Sequence, residues 1–160
     1  MKIKNAESGR SMIEMLGVMA IMIVIGIAAV EGWNLLNQSL KRSNVQDDVV
    51  KMVSGVRGLL GGYDDFSGID ANTIFAAIGV SNKNPYGGKY ELSANPADKK
   101  QFVVSITGLN VSDCEYFRTR AWPDSAIFRA SNRKLGGAAA VPANCGDQSG
   151  KNTVRIIYGE

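Results

Sequence analysis

Residues 15–30 read MLGVMAIMIVIGIAAV, an apolar run without a charged or amide side chain. As a helix the run would span about 24 Å. That is a little short of the roughly 20 residues a bilayer core requires. Met12 and Ile13 on one side, and Trp33, Leu35 and Leu36 on the other, lengthen the apolar stretch. Lys2, Lys4 and Arg10 precede it, which predicts an N-terminus kept on the cytoplasmic side.

Two readings of this run compete. One is an ordinary secretory signal peptide, with a basic start, an apolar middle and Ala28 and Ala29 as small residues for cleavage. Two features oppose it. Glu14 stands at the edge of the run with Met12 and Ile13 before it, and a carboxylate there is costly in lipid unless it finds a partner. The helical pattern also continues. Trp33, Leu36, Leu40, Val49, Met52, Val53, Val56, Leu59 and Leu60 recur mostly at three- and four-residue steps, with Asn37, Gln38, Lys41, Arg42, Asp47 and Asp48 largely between them. A discarded signal peptide has no reason to lead into an amphipathic helix. The expectation is one helix from about residue 12 to about residue 60, roughly 70 Å long. Its apolar half needs lipid or other apolar helices on every side; its amphipathic half needs a head on one side.

The stretch Gly9-Arg10-Ser11-Met12-Ile13-Glu14-Met15-Leu16 resembles the prepilin peptidase site of type IV pilins. The resemblance implies a basic leader, residues 1–9, removed by cleavage between Gly9 and Arg10. It makes Arg10 the new and N-methylated terminus and Glu14 the fifth mature residue. It implies that the new α-amino group neutralises a neighbour's Glu14 inside an apolar bundle, so that Glu14 sets the register of assembly. Arg10 departs from the apolar first residue usual in that family, and no proline interrupts residues 10–60.

Composition narrows the function further. The 160 residues suit one domain beyond the membrane segment, and a net charge of +3 gives no reason to expect nucleic acid. Histidine is absent, which removes the commonest general base and metal ligand. Cys114 and Cys145 cannot close a zinc site alone. Behind an export-type N-terminus they read as a disulfide, with two buried thiols as the alternative. No nucleophile pairing, phosphate loop or carboxylate dyad stands out. The chain reads as no enzyme, with no cofactor and no metal.

The rest of the chain reads as a head. Gly55, Gly58, Gly61 and Gly62 are expected to end the long helix. Asp70 caps a short helix through Ile74 to Ile78. Residues 82–88, NKNPYGG, form a turn. Residues 89–93 and 101–107 read as an antiparallel pair joined by a loop over 95–98. Ser112 or Asp113 caps a helix through Cys114, Phe117 and Ala121, stopped by Pro123. Residues 125–130 can form a strand, 134–144 a loop, and 153–158 a last strand.

This order is similar to that of type IVb pilins: Asn84-Pro85-Tyr86-Gly87-Gly88 before a strand, residues 102–109 leading to Cys114, and Cys145 shortly before a C-terminal strand. The resemblance implies an antiparallel sheet packed on the stalk helix and a disulfide fencing a surface region, here 114–145.

Within that region Arg118, Arg120, Arg129, Arg133 and Lys134 outnumber Glu115 and Asp124. They form either an adhesive surface for anionic partners or a solvated face. Asp64, Asp65 and Asp70 lack EF-hand spacing and read as a solvated loop with a cap. Trp33 suits a membrane interface, Trp122 a core.

The fold expected is α+β: a long N-terminal helix, an antiparallel head and one disulfide. The divisions are a leader (1–9), an apolar transmembrane or filament-core half (10–32) and a head with the amphipathic half (33–160). The function expected is a type IVb-like pilus subunit used for attachment or cell–cell contact. The implied partners are further copies in a helical filament, prepilin peptidase, an inner-membrane assembly platform, minor pilins, and the membrane before assembly. The precursor would sit in the inner membrane with its head in the periplasm, and the assembled pilus would be extracellular. Alternatives are a pseudopilin of a type II-like secretion system and a soluble secreted adhesin.

Overall fold

The computed structural model describes residues 6–61, 65–125 and 141–159. Helix α1 runs Ala6–Leu60. It begins before the apolar run, so the backbone at Gly9 and Arg10 is already helical. The chain divides into two compact units, Met1–Leu40 and Lys41–Glu160.

In the first unit the described apolar side chains of α1 face outward on all sides, from Met12 at 72% exposed to Leu36 at 62%. By length and composition α1 can cross a membrane, and its most apolar window has a mean hydropathy of 2.5 with none of it buried.

In the second unit α1 has one buried face. Val45, Val49, Met52, Val53 and Val56 are buried, at steps that keep them on one stripe. Val45 belongs to this stripe although the expected pattern omitted it. Leu59, expected on the stripe, is about half exposed, and Trp33, Leu36 and Leu40, also expected on it, are exposed. Gly55 and Gly58 do not end the helix; both lie inside it. Gly55 is there because Ile78 packs against it, so that a Cβ would lie 2.3 Å from the Ile78 Cγ2. Gly61 ends the helix, donating its N–H to the Arg57 carbonyl at 2.9 Å.

Helix α2 (Ala71–Ile78) starts where expected, at Asp70, whose carboxylate accepts from the Asn72 N–H. Hydrogen bonds from Thr73 and Asn72 hold that carboxyl below the ordinary aspartate range. Gly79 closes α2 with φ of 67°, a left-handed value that suits glycine.

The sheet has four antiparallel strands in the order β1-β2-β4-β3. Strands β1 (Tyr90–Asn95) and β2 (Asp98–Leu109) form a hairpin. Asn95 pairs with Asp98, so the expected loop is a tight turn over Pro96 and Ala97. Strand β4 (Asn152–Gly159) lies against β2, with Val104 opposite Ile156 and Phe102 opposite Tyr158. Alternation sends Tyr90, Leu92, Phe102, Val104, Ile106, Val154, Ile156 and Tyr158 into one core with the buried face of α1.

Helix α3 (Val111–Thr119) corrects its expected bounds. Its cap is Asn110, not Ser112 or Asp113; the Asn110 side chain accepts from the Asp113 N–H at 2.7 Å. It ends at Thr119, before Ala121 and Pro123, because Arg120 is already extended. Trp122 is buried, as expected, and its indole N–H donates to the Phe117 carbonyl. The segment expected as a loop over 134–144 contains strand β3 (Ala143–Asn144), which pairs with Val154 and Thr153. Two residues are too few to show a period, so only tertiary pairing reveals them. Ser125 bridges Tyr158; residues 126–140 lie outside the described residues, and with them the rest of the expected strand.

Burial raises the ionisation of the Tyr90 and Tyr158 phenols above the ordinary value of 10.0. A raised folded-state value favours the neutral phenol in the fold. The head should therefore keep its stability below about pH 10 and lose it progressively as pH rises further. Denaturant midpoints at pH 8, 10 and 11 would check this; a midpoint flat to pH 11 would contradict it.

Candidate functional site

Three places carry the expected roles. The first is the N-terminal half of α1. Glu14 is exposed there, bracketed by exposed Ile13 and Met15. A carboxylate among apolar side chains is tolerable in water and costly in an apolar bundle, where it would require a cationic partner. Gly9 and Arg10 lie on the same helix, with side chains outside the described residues.

The second is the disulfide. Cys114 and Cys145 are bonded, with Cα atoms 5.6 Å apart. The bond ties α3 to the chain leaving β3 and encloses residues 115–144 between its ends. Asn152, fully buried, organises the loop after it: its amide donates to the Leu109 and Asp147 carbonyls and its oxygen accepts from the Asp147 N–H.

The third is the set of cations expected to face a partner. Arg118 pairs with Glu115 on the same helix at 2.7 Å. Arg120 donates to the Tyr116 hydroxyl at 2.8 Å. Both are thus engaged locally, which weakens their claim to an open adhesive surface. Arg129, Arg133 and Lys134 lie outside the described residues. Of the acidic loop, Asp65 accepts from Ser67 and Asp70 caps α2, as a solvated loop would. Among the described residues no cluster of candidate metal ligands occurs.

The sequence reading missed a polar junction between α1 and α3. Arg42 Nε donates to the Asp113 carboxylate at 2.6 Å, and Asp113 is 1% exposed. Asn110 also donates to that carboxylate. The Arg42 guanidinium lies 4.3 Å above the Tyr116 ring, and Gln46 donates to the Tyr116 hydroxyl. Removing either member of the pair would leave a charge stranded in the head. The sequence reading took Arg42 as a polar position of the long helix and Asp113 as a candidate cap; their separation of 71 residues hid the pairing. Tyr86 completes the junction. Its hydroxyl is buried beside the Asp113 carboxylate and the Arg42 guanidinium. Burial and the nearby Asp113 carboxylate raise its ionisation above 10.0.

Known proteins place these features in a context. The chain is 25% identical over 163 aligned residues to the major structural subunit of bundle-forming pilus of Escherichia coli O111:H-, covering 94% of this chain and 83% of the relative. The corresponding subunit of Escherichia coli O127:H6 (strain E2348/69 / EPEC) matches with the same identity and coverage. The chain is type IVb pilin-like. The alignment takes in both the N-terminal helix and the disulfide-bearing head of this pilin-like chain. No family model matches the chain, and no solved structure matches it.

Proposed function

We propose that this chain is a structural subunit of a type IVb-like pilus, polymerised through its N-terminal helix. The observation that carries the reading is the exposed apolar half of α1 in a chain whose relatives are major structural subunits of a bundle-forming pilus. So much apolar surface needs either lipid or other apolar helices. Lipid serves the precursor; further copies serve the fibre.

On this reading residues 1–9 are a leader removed by prepilin peptidase, and Arg10 becomes the methylated terminus. The precursor rests in the inner membrane with residues 10–32 in lipid and the head in the periplasm. An assembly platform extracts it, minor pilins join it, and the extracellular fibre serves attachment or cell–cell contact. The α-amino group of Arg10 neutralises a neighbour's Glu14 in the apolar bundle. The role is structural rather than catalytic, which the absence of histidine and of any nucleophile pairing in the sequence supports.

Mass spectrometry of the protein made alongside a prepilin peptidase tests this. A mature chain starting at Arg10 is expected. A chain starting near Ala29 or Glu31 would mean an ordinary signal peptide, and the fibre reading would fall with the lost helix. Deleting the gene should also remove surface fibres.

A further inference from the structure

The turn Asn84-Pro85-Tyr86-Gly87-Gly88 is a feature of the sequence to which the fibre reading assigns no task. Its geometry is tightly determined. The buried Asn84 side chain accepts from the Tyr86 and Gly88 N–H groups, each at 3.0 Å, and donates to the Thr107 carbonyl at 2.7 Å. Gly87 has φ of 84°. A Cβ on Gly88 would lie 1.9 Å from the Thr107 carbonyl oxygen. The turn is therefore clamped to the end of the β1–β2 hairpin, and Tyr86 moves only with the sheet.

From that fixed base the Tyr86 ring meets the Phe117 ring edge-on, with centroids 6.2 Å apart and an interplanar angle of 85°. Phe117 is fully buried and sits three residues after Cys114 on α3. The N-terminal turn of α3 is held otherwise, by the Asn110 cap and the Arg42–Asp113 pair. Tyr86 packs one turn further along, at Phe117, whose carbonyl also accepts from the Trp122 indole N–H. Contacts at Asp113 and at Phe117, on successive turns, fix the rotation of α3, and Cys114 lies between them.

We propose that Tyr86 is a positioning residue for the disulfide: the sheet-anchored turn holds α3 so that Cys114 meets Cys145 in a head already folded. The ring carries this role through its contact with Phe117, and the hydroxyl, buried beside the Asp113 carboxylate, does not. The role concerns the head alone and stands or falls separately from fibre assembly.

The readout is the effective concentration of the Cys114–Cys145 pair, from equilibration of the full chain in detergent with reduced and oxidised glutathione. Tyr86→Ala should lower it about tenfold, the size expected when two packed groups are uncoupled. Tyr86→Phe should leave it unchanged. Ile78→Ala, which thins the α1–α2 contact away from α3, serves as a control of general destabilisation and should also leave it unchanged. If Tyr86→Ala leaves too little folded protein, Tyr86→Leu fills the same space without the ring edge and should lower it in the same direction. The proposal is overturned if the Tyr86 variants change the value no more than Ile78→Ala does. It is equally overturned if Tyr86→Phe loses as much as Tyr86→Ala.

Discussion

Glu14→Ala is expected to leave the precursor in the membrane and cleaved after Gly9, yet to reduce fibre yield at least about tenfold. The argument rests on where the carboxylate sits. Exposed apolar side chains surround Glu14 on α1. In a bundle of such helices a new α-amino group would be a buried cation, and an opposite charge nearby offsets the desolvation of both. Breaking a buried pair by removing one member costs about 3–5 kcal/mol, because the other stays behind uncompensated. Alanine removes the partner without harming the helix, since it has the best helix propensity. On the proposed reading cleavage would precede assembly and would not need the pair. Sheared-fibre yield and the mass of the membrane-held subunit should therefore separate: fibre lost, mature chain present. Wild-type fibre yield from Glu14→Ala would sink the register role. Glu14→Gln should behave like alanine, because the amide keeps the shape and loses the charge.

Cys145→Ser is the second large effect. The disulfide closes a sequence separation of 31. In the chain-entropy account such a closure is worth roughly 3.5–4 kcal/mol. The melting temperature of a head this size should fall by roughly 15 °C or more. Protease sensitivity should rise most between the two cysteines. β3 has only two residues, and Cys145 immediately follows it. Cys114→Ser should match Cys145→Ser, since one bond is lost either way. Unchanged protease resistance in both variants would contradict this role.

A smaller effect belongs to the turn before β1. Gly88→Ala should destabilise the head by about 1–3 kcal/mol through overpacking against the Thr107 carbonyl. Gly68→Ala, where a Cβ meets open space, should be close to neutral. Denaturant midpoints of the two variants compare them directly; equal midpoints would show that the turn tolerates a side chain.

The apolar run, the 49–56 part of the stripe behind it and the capped α2 were legible because each is a local, periodic pattern within one element. The hairpin of β1 and β2 was legible for the same reason, since its strands alternate and its turn lies between them. The cysteine pair was legible from export context and number. What the sequence by itself determined is therefore an apolar helix that needs lipid or partners, an antiparallel head behind it, and a covalent tie. The tertiary structure alone decided which polar residues matter. Arg42 finds Asp113 across 71 residues of chain, and Asn84 reaches Thr107 across 23. It also moved the α3 cap to Asn110, carried α1 through Gly55 to meet Ile78, and set β3 beside β4. These choices depend on burial and on distances between elements far apart in sequence. Such quantities have no period along the chain, and so they emerge only when the core brings the elements together.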